Sequence, residues 1–262
     1  MAALWQSWGI HSKQPVRGGN MLGVSRDGDV VTIEMQREER RNALNVELVT
    51  ALREAVLAAV ADGARAIVLT GRGPIFSAGA DLNGVYSDQF LELLMDMLHT
   101  IESAPVPVIS AVNGAAIGGG VQLTLASDLR VMEPDSYIGI PAARIGVSVD
   151  RWTMHRLVSL IGGGPARGIL LGLDQVSARD CYNFGFANRL GTLADAQAWA
   201  RSIAELAPLS LRHMKLVLND DGTRDPDSAV QREALAAAWA SEDAKEARLA
   251  RAEKRRARFT GR

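Results

Sequence analysis

The sequence predicts an α/β fold in which a largely parallel β-sheet is followed by a helical C-terminal region. Short apolar runs, such as residues 66–69 and 108–112, are separated by helix-length segments with apolar residues at helical spacing. Strands that alternate with helices imply right-handed crossovers, with the helices packed outside the sheet. Strand signals almost disappear after Thr153, so the rest of the chain is predicted to be helical.

Individual segments carry start and stop signals. The β-branched run VVTIEM at residues 30–35 predicts a strand, and Asn45 is a candidate N-cap for a helix that continues to about Val60. The continuous run AIVL at residues 66–69 suits a strand buried on both faces. Two prolines, Pro105 and Pro107, end a helical pattern that begins near Gln89. Further strands are predicted at 108–112 and 129–132, and further helices at 120–126, 154–161, 166–171, 178–184, 194–206 and 229–239.

The composition is that of an ordinary globular protein. With 262 residues, 47% hydrophobic and 23% charged, the chain suits one large domain or one domain with a smaller appendage. The formal net charge of −1 gives no indication of nucleic-acid binding, and no apolar run approaches the roughly 18 residues of a membrane span. Cys181, the single cysteine, excludes an internal disulfide and fits a reducing, cytoplasmic compartment. No histidine has a metal-ligand neighbour at useful spacing, so no metal is assigned.

The first 20 residues are predicted to be an N-terminal extension with little order. They lack the basic start of a signal peptide, and Trp5, Trp8 and His11 interrupt any apolar stretch. The first strand-like segment opens at Met21, so Met1 and Met21 both stand as candidate start residues.

Two loops rich in glycine and alanine follow buried strands. The first is TGRGPIFSAGADL at residues 70–82, and the second is NGAAIGGGVQL at residues 113–123. Such loops let the backbone approach a ligand closely, and the second opens a helix whose free N–H groups favour negative charge. Two loops at strand ends can therefore aim two N–H donors at one developing oxyanion.

Each loop alone would also fit an ordinary structural turn. A dinucleotide-binding loop is the main rival, but Gly71-Arg72-Gly73 lacks the third glycine and is followed by Pro74 rather than by a helix. A P-loop is excluded because no Gly-Lys-Ser/Thr follows either segment.

Three segments together resemble the enoyl-CoA hydratase/isomerase family, the crotonase superfamily. They are RRNALN at residues 40–45, FSAGADL at 76–82, and AVNG at 111–114 followed by the glycines at 118–120. The likeness runs from about Met21 to the C-terminus. It implies a crotonase-like spiral of ββα units over residues 21–200, a helical trimerisation region over 201–262, and homotrimers that commonly pair into hexamers.

The resemblance also implies roles for individual residues. Ala80 and Gly119 match the two backbone N–H donors that hold a thioester oxygen, and the segment 41–44 matches the loop that wraps adenine and pantetheine. Lys254 matches a C-terminal lysine offered to the phosphates of coenzyme A, and Trp152 is expected to shape the pocket wall. The implied acyl-CoA-binding residues are Arg41, Ala43, Leu44, Ala78, Ala80, Asp81, Leu82, Gly119, Pro141, Trp152 and Lys254.

The sequence departs from a hydratase at two positions. Hydratases of this family use two glutamates, whereas this chain has Gln122 after the glycine triplet and Ala142 after Gly-Ile-Pro. A glutamine can hold a water but cannot take its proton, and an alanine can do neither. Because each positioned acid–base group contributes about 10²–10⁴ in rate, hydration is predicted to be very weak.

Asp150 has two possible roles. Some superfamily members carry a catalytic aspartate at this offset, where it could shuttle a proton or act as a nucleophile. Asp is equally a favoured N-cap, and a helix is predicted to begin near Trp152.

Three functions are therefore predicted as alternatives. The first is a protein of lipid metabolism that binds fatty acyl-CoA through an oxyanion hole and resembles the non-hydrating members of the family. The second is an isomerase of unsaturated acyl-CoA that uses Asp150, and the third is a weak hydratase with water held by Gln122. No cofactor is expected beyond the coenzyme A of the ligand itself.

Overall fold

A computed structural model describes residues 21–81 and 87–261 of the chain. The predicted N-terminal extension at residues 1–20 lies outside the described residues, and so does Leu82 of the predicted acyl-CoA-binding set. The described residues form two β-sheets with helices packed around them and helices at the C-terminal end, which confirms the predicted α/β class.

The larger sheet is mostly parallel. In the described chain it contains β1 (Leu22–Asp27), β2 (Val30–Met35), β3 (Ala66–Gly71), β5 (Val108–Val112), β7 (Leu129–Met132) and β10 (Arg189–Leu190), in that spatial order. β1 and β2 form an antiparallel hairpin, and the other neighbouring pairs are parallel. All residues of β3 and β5 are buried, as the continuous apolar runs predicted.

A smaller sheet lies beside the first. It contains β4 (Ile75–Ser77), β6 (Ala115–Ile117), β8 (Tyr137–Gly139) and β9 (Val176–Ser177), in that spatial order within the described chain. The sequence prediction treated β4 and β6 as parts of loops, which is wrong. Each strand has three residues and adjoins glycine or proline, so its length is too short for a period of two to be visible.

The two sheets and the helices form repeated ββα units. A strand of the larger sheet leads into a strand of the smaller sheet and then into a helix, as in β3–β4–α2 and β5–β6–α3. The helices of the described chain are α1 (Val46–Ala61), α2 (Asp88–Ser103), α3 (Gly119–Ala126), α4 (Arg151–Ile161), α5 (Gly163–Arg167), α6 (Ala178–Asn183), α7 (Leu193–Ala204), α8 (Pro208–Leu218), α9 (Ala229–Ala240) and α10 (Glu242–Ala252).

Most predicted helices are present, but α8 and α10 were not predicted. The helix α10 buries only alanines, at positions 244, 247 and 250, which give a weak periodic signal. In α8 the apolar residues Leu209 and Leu218 face solvent, so its pattern does not mark a buried stripe.

Apolar residues cover both faces of the larger sheet. On one face Ala196, Ala200 and Ile203 of α7 pack against a cluster that includes Val68 and Ile109. On the other face α1, α2 and α3 contribute to the main core. Residue 200, the predicted end of the α/β core, lies within α7.

The described helices are all too short or too polar to cross a bilayer. Within the same residues, no three His, Cys, Asp or Glu side chains converge in a way that could hold a metal ion.

Candidate functional site

The two glycine-rich loops lie against each other. Gly79 follows β4 with φ +87°, and a side-chain carbon placed on it would lie 2.5 Å from the Ile117 carbonyl oxygen and 3.2 Å from Gly119 N. A side-chain carbon on Gly119 would in turn lie 3.4 Å from Ala80 N. The 2.5 Å contact with backbone leaves no room for a Cβ at Gly79, so glycine at this position lets the two loops bring the backbone nitrogens of Ala80 and Gly119 close together.

Neither of these two N–H groups is used in a hydrogen bond within the described residues, although Gly119 is buried and Ala80 is only partly exposed. Gly119 is the first residue of α3, and the first N–H groups of a helix have no partner inside it. Among the described residues, neither Ala80 N–H nor Gly119 N–H donates a hydrogen bond to another part of the protein. The arrangement can offer two donors to one oxygen atom, which is the chemistry that the sequence predicted for these two residues.

Leu44 fixes the first of the two loops. Its N–H donates to the Gly79 carbonyl at 2.8 Å, and its carbonyl accepts from Asp81 N–H at 2.7 Å. The Leu44 side chain is fully buried, and its Cδ1 lies 3.0 Å from the position of a side-chain carbon on Gly119. The segment predicted to wrap coenzyme A is therefore built into the same body as the predicted oxyanion donors.

Asn42 was missed as a structural residue by the sequence analysis. Its buried side chain accepts from Arg37 N–H at 3.0 Å and donates to the carbonyls of Arg72 at 3.0 Å and Ile75 at 2.8 Å. Its backbone has φ +52°, a region that asparagine tolerates better than most residues. Because its carbonyl partners are about 30 residues away in sequence, nothing local marks this role.

The other residues of the predicted coenzyme A segment vary in exposure. Arg41 and Ala78 are exposed and Ala43 is partly exposed, so all three are accessible to a ligand. Asp81 is half-buried and forms an ion pair with Arg37 at 3.0 Å. That guanidinium also donates to the Ala43 carbonyl at 2.7 Å, so it joins the first glycine-rich loop to the segment predicted to wrap coenzyme A.

Gln122, Asp150 and Thr153 form a hydrogen-bonded cluster in which Gln122 and Thr153 are buried and Asp150 is partly exposed. Gln122 Nε2 donates to Asp150 Oδ2 at 3.1 Å and to Thr153 Oγ1 at 2.7 Å. Asp150 is the N-cap of α4: its Oδ1 accepts from Thr153 N–H at 2.8 Å, and its Oδ2 accepts from the Thr153 hydroxyl at 2.7 Å. Of the two roles considered for Asp150, the structure therefore supplies the capping role directly. Thr153 was not singled out from the sequence, although position N3 of a helix is where a capping side chain binds.

Ala142 lies in a short 3-10 turn at Ala142–Ile145, after Pro141. Both residues are partly exposed, and the Ala142 methyl packs against the main core. The turn follows β8, whose last residue, Gly139, accepts a hydrogen bond from Gly118 N–H at 2.9 Å. Ala142, where the family resemblance implies a glutamate in hydratases, thus lies three residues after a strand end that is bonded to the second glycine-rich loop, and it carries no polar group.

Trp152, in the first turn of α4, is buried, with 4% of its surface exposed. Its indole N–H donates to Glu102 Oε1 at 3.2 Å, and the second Glu102 oxygen accepts from Arg224 Nε at 2.5 Å. Glu102 belongs to α2 and Arg224 to the segment between α8 and α9. This network holds the start of α4 against two distant parts of the chain.

His99 packs edge-to-face against Trp152, with 6.0 Å between the ring centres. Its Nε2 is buried and has no hydrogen-bond partner among the described residues. Burial lowers the pKa of His99 below its ordinary value of 6.5, and the nearby Arg224 lowers it further. The imidazole is therefore held in its neutral form in the folded protein at neutral pH.

We expect this histidine to make stability depend on pH. Because its pKa is lower in the folded state, the unfolded chain binds a proton first, and the free energy of unfolding should fall as the pH drops below about 6.5. Denaturant unfolding between pH 7.5 and 5.5 should show a smaller decrease for His99→Leu than for the wild-type chain. Equal slopes for the two proteins would contradict the lowered pKa, and His213→Leu serves as the control.

Lys254 lies just after α10 and is exposed. It forms no ion pair within the described part of the chain, whereas its neighbour Arg255 is held by Glu246 at 2.5 Å and by Glu253 at 2.6 Å. Of these two neighbouring cations, Lys254 is the one left available for an external anion.

Comparisons with known proteins agree over nearly the whole chain. The family described as enoyl-CoA hydratase/isomerase matches residues 25–262. The probable enoyl-CoA hydratase echA6 of Mycobacterium tuberculosis is 46% identical over 242 residues, which cover 92% of this chain and 100% of that protein. The putative enoyl-CoA hydratase of Thermus thermophilus is 37% identical over 88% of this chain and 98% of its own length.

The solved structures include an enoyl-CoA hydratase/isomerase from Pseudoalteromonas atlantica T6c. It is similar to this chain with a TM-score of 0.82 at 27% identity, over 92% of this chain and 100% of that one.

Proposed function

This chain belongs to the enoyl-CoA hydratase/isomerase family, and on that basis we propose that it binds fatty acyl-CoA thioesters with little or no hydration of enoyl-CoA. The observation that carries the proposal is the Gln122 amide, which donates to Asp150 and Thr153 where a hydratase would hold a carboxylate. The protein would then carry or present acyl-CoA in lipid and fatty acid metabolism.

Binding of the thioester is assigned to Ala80 N–H and Gly119 N–H. The two nitrogens lie on adjoining loops and donate to no other described residue. A thioester carbonyl oxygen accepts two such hydrogen bonds, and each is worth more in a site from which water is excluded. Arg41 and Ala43, on the exposed rim beside Leu44, are the residues assigned to the rest of coenzyme A.

The weak or absent hydration is argued from acid–base chemistry. Gln122 cannot accept a proton from water, and both hydrogens of its amide are already engaged. The methyl group of Ala142 offers neither an acid nor a base. In this respect the chain resembles the non-hydrating members of the family, some of which are associated with long-chain fatty acid synthesis.

Weak hydration remains the alternative suggested by the relatives. Both curated relatives compared above are described as probable or putative enoyl-CoA hydratases. Turnover of crotonyl-CoA, measured on the same preparation that binds acyl-CoA in a calorimeter, separates the two functions.

Isomerisation by Asp150 is the second alternative, and the capping geometry disfavours it. A base that moves a proton at the substrate needs a carboxylate lone pair aimed at it, whereas three hydrogen bonds from Thr153 and Gln122 hold the two Asp150 oxygens toward α4 and α3. We therefore expect acyl-CoA to bind to the wild-type chain and to Asp150→Asn, with no turnover of 3-enoyl-CoA by either. Asn caps a helix about as well as Asp, so the variant should fold.

Calorimetry and an isomerase assay check this prediction together. Turnover by the wild-type chain that collapses in Asp150→Asn, with binding intact, would make Asp150 an acid–base group. Asp135→Asn, at an exposed aspartate in the turn before β8, is the matched control. If neither binding nor turnover appears, the proposal of a coenzyme A ligand itself fails.

Lys254 is proposed to contact a phosphate of coenzyme A. Removing one exposed charge that pairs with a phosphate should weaken binding of an acyl-CoA by about 1.4- to fivefold, because exposed ion pairs contribute about 0.2–1 kcal/mol. The measurement is the dissociation constant at low salt for Lys254→Ala and for the wild-type chain. Each protein is measured with one acyl ester of CoA and with the same acyl ester of dephospho-CoA. Lys245→Ala, at a lysine already paired with Glu242, is the control. Equal affinities of wild type and Lys254→Ala for both esters would remove this residue from the site.

The proposed assembly is a homotrimer or hexamer, as the family resemblance implies. Leu209, Leu216 and Leu218 of α8 expose 78%, 64% and 72% of their surface, which suits burial against another copy of the chain. Light scattering would measure the molar mass of this assembly in solution.

A cytoplasmic location is proposed from the single cysteine, Cys181. Its burial raises its pKa to about 12 and keeps the thiol unreactive.

A further inference from the structure

The amide groups on both sides of Ala80 donate to other protein atoms. Gly79 N–H donates to the Ser77 hydroxyl at 3.2 Å, and Asp81 N–H donates to the Leu44 carbonyl at 2.7 Å. Ala80 N–H, which lies between them, donates to no other described residue. The loop therefore uses the neighbouring amides to hold itself in place and leaves this one donor over.

Two peptide planes meet at Gly79, and each of them is held. In a trans peptide unit the carbonyl and the N–H point in opposite directions. The Gly79 carbonyl accepts from Leu44 N–H at 2.8 Å, so Ala80 N–H, in the same plane, points away from Leu44. The plane between Ala78 and Gly79 is held by the Ser77 hydroxyl, which accepts from Gly79 N–H at 3.2 Å.

The Ser77 hydroxyl has only one possible arrangement of its hydrogen. Gly79 N–H can only donate, so Ser77 Oγ accepts there and gives its own hydrogen to the Asn42 carbonyl at 2.8 Å. Ser77 is fully buried, and its Cβ lies 3.0 Å from the position of a side-chain carbon on Gly120 of α3. The hydroxyl is therefore enclosed between the segment at Asn42 and the start of α3.

Gly79 is the residue at which this loop could change conformation. It has no Cβ, and its φ of +87° lies in a region that glycine enters and leaves at little steric cost. Rotation at Gly79 would turn the next peptide plane and with it Ala80 N–H. Leu44 opposes that rotation through a backbone N–H, and Ser77 opposes it through a side chain.

We propose that Ser77 is a positioning residue, whose hydroxyl fixes the backbone at Gly79 so that Ala80 N–H points at the thioester oxygen of a bound acyl-CoA. The inference rests on the proposed binding of acyl-CoA through Ala80 and Gly119. Because Ser77 is fully buried and its two partners are protein groups, it acts through Gly79 and not by contact with the ligand. Its effect should therefore be confined to the carbonyl end of the ligand.

The test uses the full chain with octanoyl-CoA and with S-octyl-CoA, a thioether of the same length that lacks the carbonyl oxygen. Calorimetry gives the ratio of the two affinities. In Ser77→Ala we expect the preference for octanoyl-CoA over S-octyl-CoA to fall by roughly three- to tenfold, the equivalent of one net hydrogen bond.

Infrared difference spectra of octanoyl-CoA labelled with ¹³C at the carbonyl give a second measurement. Hydrogen-bond donors polarise a bound carbonyl and lower its stretching frequency. The frequency should therefore be lower in the complex with the wild-type chain than in the free ester. In Ser77→Ala it should return toward that of the free ester.

Two further variants separate positioning from a general loss of structure. Ser110→Ala is the matched control, because Ser110 is an equally buried serine whose hydroxyl contacts Ser127 at 2.8 Å and not a glycine-rich loop. It should keep the wild-type preference and the wild-type carbonyl frequency. Ser77→Cys keeps a weak donor and acceptor, so both values should fall between those of the wild-type chain and Ser77→Ala. If Ser77→Ala does not fold, Ser77→Cys decides by the same two measurements.

Three results would count against the proposal. An unchanged carbonyl frequency in Ser77→Ala, or an equal loss of affinity for both ligands, would overturn the positioning role. Binding of octanoyl-CoA to the wild-type chain with no change in its carbonyl frequency would also overturn it and would leave acyl-CoA binding in place. If the wild-type chain binds neither ligand, the proposed function fails as well.

Discussion

Gln122→Glu and Ala142→Glu introduced together are expected to raise the hydration of crotonyl-CoA by about 10⁴-fold, because each positioned acid–base group contributes about 10²–10⁴. The family resemblance implies the two hydratase glutamates at these positions, and the proposed donors Ala80 N–H and Gly119 N–H would serve the enolate. Each single variant should gain far less, since hydration needs one group for the water and one for the α-carbon. The measurement is kcat/KM for crotonyl-CoA in the wild-type chain, both single variants and the double variant.

Asp150 should modify this gain. A glutamate at position 122 would place a second carboxylate where the Gln122 nitrogen now lies 3.1 Å from Asp150 Oδ2. Two carboxylates this close cannot both ionise, so one pKa of the pair should rise. Adding Asp150→Asn removes the second charge, and the pH profile of hydration should then shift to lower pH. If the double and triple variants bind acyl-CoA and still do not hydrate, the pocket has diverged beyond these two positions.

Gly79→Ala is expected to abolish acyl-CoA binding and to destabilise the fold by about 2–5 kcal/mol, the sum of left-handed strain of about 1–2 and overpacking of about 1–3. The added carbon would lie 2.5 Å from the Ile117 carbonyl oxygen, so the two loops would have to separate. Their separation would move Gly119 N away from Ala80 N. Denaturant unfolding and calorimetry with acyl-CoA measure the two effects.

Gly28→Ala separates strain from crowding. Gly28 has φ +58° in the turn between β1 and β2, and a side-chain carbon there meets no atom within 4 Å. This variant should lose only about 1–2 kcal/mol of stability through strain, with binding unchanged. If Gly79→Ala lost no more stability than Gly28→Ala, the contact of Gly79 with the Ile117 carbonyl would not be tight enough to exclude a Cβ.

The larger sheet and several helices could be predicted because their signals are local. Continuous apolar runs mark β3 and β5, and the Asn45 side chain accepts from Leu48 N–H at 3.0 Å, as its N-cap position predicted. The smaller sheet could not be predicted, because strands such as β4 and β6 exist only through pairing across two units of the fold.

The site was predicted in part, and the missing part depends on distant contacts. The glycine motifs located Ala80 and Gly119, and the departures at Gln122 and Ala142 were visible as residue types. The sequence left two roles open for Asp150, because a helix cap and an acid–base group need the same side chain. The decisive contact comes from Gln122, 28 residues away. Glu102 and Arg224, which hold the start of α4, are 122 residues apart and gave no signal at all.

The hydrogen bonds that join Leu44 to Gly79 and Asp81 form when the protein folds, so this part of the candidate site takes its shape before any ligand binds. Both partners of each bond belong to the protein. The conformational entropy of the Leu44 segment and of the loop at Gly79 and Asp81 is therefore lost during folding. A thioester bound as proposed would find these two segments already ordered, so its association free energy need not cover that cost. The consequence is kinetic as well as thermodynamic: a preformed receptor captures its ligand without a preceding conformational step, so the rate of association should rise linearly with ligand concentration.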